Sequence, residues 1–424
     1  MRDNRRVTLV DDLQWRGLIQ DATDPDALRA ALDGGSITFY VGFDPTAASL
    51  HVGHLMQVMT ARRLQLAGHR PLLLVGGATG QIGDPRESSE RTLNPPEVVS
   101  AWVQRIRDQL SPFVTYTGAN AATLVNNLDW TGSLSVVEFL RDVGKHFPVN
   151  KMLARDVVRN RLESGISFTE FSYQLLQAND FFELHRRHGC LLQFGGSDQW
   201  GNITAGVDFV RRRGAGPVHA FVTPLVLRAD GTKFGKSEGG TNVWLDPAMT
   251  SPYDFYQFWI NADDRDVGNY LRYFSFKPRE EIEELEKATA ERPQARAAQR
   301  ALASEITGLV HGQAEADQAV AASQALFGRG SLAALSAETL RAALSSASLI
   351  EVRGELPGVV DLLVSAGLAG GRGEARRTIT EGGAYVNNER VTDVDAVPPA
   401  SALLHGRFLV LRKGKRTFAG VERV

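Results

Sequence analysis

Ile37 to Phe43 is an apolar, β-branched and aromatic run of strand length, after which the chain changes period. Leu55, Val58, Met59 and Leu66 fall near helical spacing until Gly68, and Pro71-Leu-Leu-Leu-Val75 reads as a second strand. Strand, crossover helix and strand make one βαβ unit, whose strands run parallel. The pattern predicts an α/β fold of the nucleotide-binding kind. The alternation continues: Asn94-Pro-Pro-Glu97 opens a helix running past Trp102 and Ile106. Leu124-Val-Asn126, Cys190-Leu-Leu-Gln-Phe194 and Phe221 to Leu227 read as further strands, carrying the α/β region to about Leu227.

Ser251-Pro252 then opens a helix, with serine as cap and proline in the first turn. Tyr253, Phe255, Tyr256, Phe258 and Trp259 supply a buried face. The text that follows is rich in Ala, Glu, Gln and Arg without a strand-like run, so residues 246–345 are expected to be helical. The Ser and Ala residues at Ser345 to Ser348 are the expected hinge. After Pro357 the pattern changes again. A short helix from Val359 is stopped by Gly367, and Arg372 to Ile379 follows. Then come a turn at Gly382-Gly383, the strand Ala384-Tyr-Val386, the turn-former Asn387-Asn388 and a late hairpin through Phe408-Leu-Val-Leu411.

Length and composition narrow this reading. A chain of 424 residues is too long for one ordinary core, so two or three domains are expected. Hydrophobic residues at 43% and charged ones at 23% are globular usage. A single cysteine, Cys190, excludes an intrachain disulfide and a multi-cysteine zinc site. Asp11 and Asp12 stand where a signal peptide needs apolar residues, and no run approaches the ~20 apolar residues of a membrane helix. A cytoplasmic protein with no membrane association and no protein-held metal is expected. Net charge is −2, yet residues 357–424 hold ten Lys/Arg against seven Asp/Glu, so the tail is the basic part.

Two short motifs carry chemistry. His51-Val-Gly-His54 lies where the first strand turns into a helix, and a helix N-terminus offers unpaired N–H groups to phosphate, with Gly53 allowing close approach. Lys233-Phe-Gly-Lys236-Ser237 follows the turn Ala229-Asp-Gly231, and two lysines on such a loop can close on departing phosphates. Singly, either motif is as readily an ordinary surface feature. As an ordered pair they point to displacement of nucleotide phosphates.

That ordered pair resembles the two signatures of class I aminoacyl-tRNA synthetases. The blocks around it resemble the tyrosyl-tRNA synthetases of bacterial type: Tyr40-Val-Gly-Phe-Asp-Pro-Thr-Ala, Gly76-Gly-Ala-Thr-Gly-Gln-Ile-Gly-Asp84-Pro, Tyr173-Gln-Leu-Leu-Gln177-Ala-Asn-Asp180 and Gln193-Phe-Gly-Gly-Ser-Asp198-Gln199-Trp-Gly-Asn. Residues 372–386 resemble an S4-type RNA-binding domain. The resemblance implies a Rossmann-like parallel-sheet catalytic domain over 1–245, with a dimer-interface insertion at about 129–190. It further implies an α-helical anticodon-side domain over 246–345 and an S4-like α+β RNA-binding domain over 357–424.

The implied chemistry transfers residue by residue. Tyr40 and Asp180 match the pair that binds the substrate phenol, while Asp84, Tyr173 and Gln177 match the groups around the α-ammonium. Tyr173, Gln177 and Asp180 also fall at i, i+4 and i+7, hence on one helical face. Gln193 and Gln199 match positions near the carboxylate and α-carbon. Asp198 matches a ribose contact; Gly42 and Gly195 let the nucleotide approach the backbone, and Asp44 lies on the ATP side. Thr46, His51, His54, Lys233 and Lys236 match the phosphate cage, with Gly53, Phe234 and Ser237 beside them. Arg372, Arg376, Arg377, Arg412, Lys413, Lys415 and Arg416 are the expected RNA contacts.

The implied reaction needs no enzymic nucleophile: tyrosine's carboxylate attacks ATP, brought with Mg2+, and the tyrosyl group passes to its tRNA. A homodimer is implied, with Trp130, Val136, Val137, Phe139, Leu140, Phe147 and Val149 as candidate interface. Two rival readings stand beside it. One is tryptophan activation, against which Tyr40 with Asp180 argues; the other is an RNA-binding protein with a silent synthetase domain. The sequence departs from the family at Val41, where cysteine is familiar, and at Arg86-Glu-Ser-Ser-Glu90, which is less basic than usual.

Overall fold

The computed structural model describes residues 7–85, 93–232, 234–235, 240–414 and 417–424. The chain divides into two compact units, Met1–Leu245 with Asn269–Phe276, and Asp246–Gly268 with Lys277–Val424.

The first unit is built on six strands: β1 Asp21–Ala22, β2 Thr38–Phe43, β3 Arg70–Val75, β4 Thr123–Asn126, β5 Cys190–Gly196 and β6 His219–Thr223. Their order is β1-β6-β5-β2-β3-β4, parallel throughout except for β1 against β6. Helices lie between the parallel strands, which explains why Pro71 to Val75 is buried without alternation: both faces of the sheet are covered. The strand order reverses direction between β2 and β5. In an open parallel sheet that reversal leaves a crevice at the carboxyl ends of the two strands, here Phe43 and Gly196. The last expected strand is corrected: β6 runs only to Thr223, because Pro224 has no N–H to continue the ladder, and Leu225 and Leu227 are exposed.

In the second unit the helices Pro252–Ile260, Arg279–Glu291, Ala297–His311, Gln313–Ala325 and Ala337–Ala347 precede a second sheet. Ser251 caps the first by accepting the Asp254 N–H at 3.1 Å. The sheet has strands β7 Leu349–Val352, β8 Ala384–Val386, β9 Glu389–Arg390, β10 Phe408–Lys413 and β11 Thr417–Arg423, in the order β7-β11-β10-β8-β9. Strand β7 pairs parallel with β11, so the stretch Ser345 to Ser348 is not a hinge: it is a helix end entering a strand.

Alternation along β10 explains the packing. Leu409 and Leu411 join a core with Val359, Leu362 and Ile379, the apolar residues of the helices Val359–Ser365 and Arg372–Thr380. Phe408 and Val410, on the opposite face, join a core with Leu326, Leu340 and Leu344 of the preceding helices. One strand thus serves two cores.

Candidate active site

Tyr40 on β2 and Gln193 on β5 are register partners across the switch point, so both belong to one face of the sheet. Tyr40 is buried, its ring 5.3 Å from that of Phe181, and its hydroxyl has no protein partner. Burial, with Asp180 nearby, holds the phenol well above its ordinary range, so it is a neutral donor. Two residues along β2, Gly42 is exposed although its strand is central, and forms part of the open floor of the crevice.

The helix Phe168–His188 starts at the Ser167 cap and stops at Gly189, whose φ of 63° suits glycine. Its polar face behaves as the spacing predicts. Asp180 is buried; Asn127 Nδ2 donates to Oδ2 at 3.0 Å and Trp130 Nε1 to Oδ1 at 2.8 Å. Burial nevertheless outweighs these donors and pushes its carboxyl up to about 7. Asn127 is in turn fixed by accepting the Ala78 N–H and donating to Thr79. Tyr173 donates to Asp44 Oδ2 at 2.6 Å, and Thr79 donates to Asp44 Oδ1 at 2.6 Å. Gln177 Oε1 and Gln193 Oε1 are buried and unpartnered. Across the crevice, Asp84 accepts from Gln199 Nε2 at 2.7 Å and from Asn202 Nδ2 at 3.1 Å. Gly195 is buried on β5, and Asp198 is exposed just beyond that strand's end.

The expected phosphate side begins at the helix Val52–Leu66, for which His51 is the cap. His51 Nδ1 accepts the Gly53 N–H at 3.0 Å and His54 Nδ1 accepts the His51 N–H at 3.2 Å. With Nδ1 an acceptor in each, the neutral rings carry their protons on Nε2 and remain donors. Burial lowers both imidazoles, His54 to about 3 with His51 adding to the effect. Gly53 has a reason the sequence did not show: a Cβ there would stand 2.7 Å from His51 Cε1, so the capping ring itself demands glycine. Thr46 lies exposed in the turn after β2.

Lys233, Lys236, Ser237, Lys415 and Arg416 lie outside the described residues. The ends of the lysine loop are nonetheless tied to the histidine helix. Val243 N–H donates to Gly235 at 3.0 Å, Val52 N–H donates to Val243 at 2.9 Å, and Phe234 stacks on Phe274 at 5.6 Å.

Of the expected RNA contacts, Arg372, Arg376 and Arg377 are exposed on one helix, and Lys413 is part-buried beside it, paired with Glu374. Arg412 is corrected: it is 8% exposed, lies 4.0 Å from the centroid of Tyr385 and donates to the Gly414 carbonyl. An arginine so engaged is part of the fold's interior rather than its surface.

Residues 32–328 match the tRNA synthetases class I (W and Y), and residues 340–421 match the tyrosine–tRNA ligase SYY-like C-terminal domain. A tyrosine–tRNA ligase of Streptomyces griseus is 65% identical over 417 residues, covering 98% of each chain. One of Mycobacterium tuberculosis is 59% identical over 98% of this chain and 99% of that one. The chain belongs to the tyrosine–tRNA ligase family. A truncated mitochondrial tyrosyl-tRNA synthetase of Aspergillus nidulans aligns with a TM-score of 0.68 at 34% identity, covering 75% of this chain and 94% of that one. A tryptophanyl-tRNA synthetase of Plasmodium falciparum, covering 78% of this chain and 89% of that one, shares the fold with a TM-score of 0.54 at 14% identity.

Within this family framework, sequence reading missed Asn127, Thr79 and Asn202, and assigned Trp130 to a surface. Trp130 is buried and holds Asp180; Phe139 and Phe147 are packed inward as well. One signal was present: Asn126 ends β4 and Asn127 directly follows it, at the carboxyl edge where parallel sheets collect functional groups. Among the described residues no group of three or more His, Cys, Asp or Glu could hold a metal, and no helix is long and apolar enough to cross a membrane.

Proposed function

We infer that the chain is a tyrosine:tRNA ligase, which joins tyrosine to ATP as tyrosyl-adenylate with release of pyrophosphate and then transfers the tyrosyl group to the 3′ end of its tRNA. The observation that carries the substrate choice is the buried, unpartnered Tyr40 hydroxyl near Asp180. A phenol gives the Tyr40 hydroxyl its partner, whereas phenylalanine leaves that hydroxyl unpaired, a penalty for which this enzyme family is itself a standard illustration.

Asp84, Tyr173 and Gln177 receive the α-ammonium, and Gln193 with Gln199 the carboxylate end. The carboxylate, already ionised, attacks the α-phosphorus in line; the bond from that phosphorus to the bridging oxygen breaks and pyrophosphate leaves. Thr46, His51, His54, Lys233 and Lys236 hold the phosphates, the histidines as neutral Nε2 donors, so the protein positions reactants and stabilises phosphoryl charge. Asp198 takes the ribose, and Gly42, Asp44, Gly53 and Gly195 line the nucleotide side. ATP enters as its Mg2+ complex, the phosphates themselves supplying ligands. The catalytic, helical and RNA-binding divisions are 1–245, 246–345 and 357–424.

The ligase works in the cytoplasm as a homodimer. Val136, Val137, Leu140 and Val149 support the dimer: all four are exposed on one short stretch of the first unit. Val136→Glu with Val137→Glu is expected to yield monomers in sedimentation, and an unchanged mass would remove that face from the interface. The function itself is tested by amino-acid-dependent pyrophosphate exchange into ATP. Exchange with tyrosine is expected; exchange with tryptophan alone would overturn the specificity, and none with any amino acid would favour a silent domain.

A further inference from the structure

We propose that Asn202 is a positioning residue that holds Asp84 in the orientation that receives the substrate's ammonium, while Gln199 keeps its own bond to the same carboxylate. This rests on the assignment of Asp84 to the α-ammonium. Asn202 lies in the first turn of the helix Trp200–Arg212 and is 1% exposed. Its Nδ2 donates to Asp84 Oδ1 at 3.1 Å and to Gln199 Oε1 at 3.0 Å, while Gln199 Nε2 donates to Asp84 Oδ2 at 2.7 Å. The three side chains form a closed ring of hydrogen bonds.

The ring has one workable polarity. Both hydrogens of the Asn202 amide are used, and its Oδ1 is buried without a partner. Rotating the amide would set Oδ1 against a carboxylate and against Gln199 Oε1, acceptor upon acceptor. Gln199 would then have to turn its own N–H away from Asp84. Asp84, which only accepts, turns the N–H ends of both amides toward itself, and Asn202 in return fixes Asp84 Oδ1 and caps the far end of Gln199. An amide orients Asp84 without adding a second positive charge to a site where Arg155 already interacts with the carboxylate.

Binding of three ligands tests the inference: tyrosine, tyramine, which keeps the ammonium, and 3-(4-hydroxyphenyl)propionate, which lacks it. Asn202→Ala should weaken tyrosine and tyramine roughly tenfold, the size of losing one hydrogen bond to a charged group, while the propionate changes by less than about twofold. Asn202→Leu fills the same space without donors, so it should reproduce the selectivity even if the alanine variant folds poorly. Equal weakening of all three ligands, or of none, overturns the inference. Asp84→Asn is the control. If it does not spare the propionate, the ammonium assignment fails; if it does and the Asn202 variants do not, the positioning role fails alone.

Discussion

Tyr40→Phe separates a substrate contact from a structural one, because the hydroxyl it removes has no partner in the protein. An unsatisfied buried hydroxyl costs about 1–3 kcal/mol, so its removal should leave the free enzyme as stable or more so. The ring stays and with it the contact to Phe181, at 5.3 Å between centroids. In the complex the variant loses one neutral hydrogen bond to the substrate phenol, about 0.5–1.5 kcal/mol, which is roughly a 2- to 13-fold fall in kcat/KM for tyrosine. Phenylalanine should gain or stay level, since in the wild type it strands the Tyr40 hydroxyl, which the variant lacks, while Asp180 keeps its bonds from Asn127 and Trp130 in both. The expected signature is a smaller tyrosine-to-phenylalanine ratio of specificity constants at an undiminished melting temperature. Pyrophosphate exchange with each amino acid and a thermal scan provide both numbers. An unchanged ratio would refute the phenol contact; a marked loss of melting temperature would show that the hydroxyl has a structural partner after all.

Asp180 gives a pH test. Its carboxyl lies at about 7 in the fold against 3.8 ordinarily, so between these values the folded protein holds a proton that the unfolded chain releases. Its contribution to stability is present in acid and is lost as pH rises from about 4 to about 7; the wild-type minus Asp180→Asn difference in unfolding free energy should fall across that window, and a flat or rising difference counts against the buried site. Lys236→Ala should slow adenylate formation by about 100-fold or more with tyrosine affinity unchanged, while stopped-flow showing only a binding defect would deny it a transition-state role. Replacing Arg372, Arg376 and Arg377 together by alanine should spare adenylate formation, weaken tRNA binding, and reduce its salt dependence by about one unit of slope for each phosphate no longer neutralised; unaltered tRNA charging would take that helix off the RNA.

The βαβ start, the helix carrying Tyr173, Gln177 and Asp180, and the cap at Ser251 were legible because they rest on local rules: hydrophobic period, capping chemistry and side-chain spacing operate within a few residues. The two signature motifs, at His51 to His54 and Lys233 to Ser237, were legible as words. Their union was not, since it depends on hydrogen bonds from Gly235 through Val243 to Val52, residues far apart along the chain. The reason for Gly53 likewise required seeing the His51 ring fold over it. Trp130 looked like an interface residue because aromatic character alone cannot distinguish a surface from a pocket; its bond to Asp180 decides. Strand β7 is four residues long and pairs with β11, more than sixty residues later, so no local pattern announced it.

The same contrast governs the tail. Its basic surplus is plain in the sequence, yet burial removes Arg412 from the surface, and β10 places Phe408 and Val410 in the core of the preceding helices. Cutting the chain at residue 357 would therefore uncover Leu340 and Leu344 as well as remove the basic helix, which is why substitution rather than truncation isolates the RNA contacts. Most elements, the motifs and the family follow from residue type and near-neighbour spacing, which the unfolded chain already carries. Tertiary structure alone decided which polar groups are buried, which donors face which acceptors, and which charges reach solvent, because each of these depends on residues that meet only once the chain has folded.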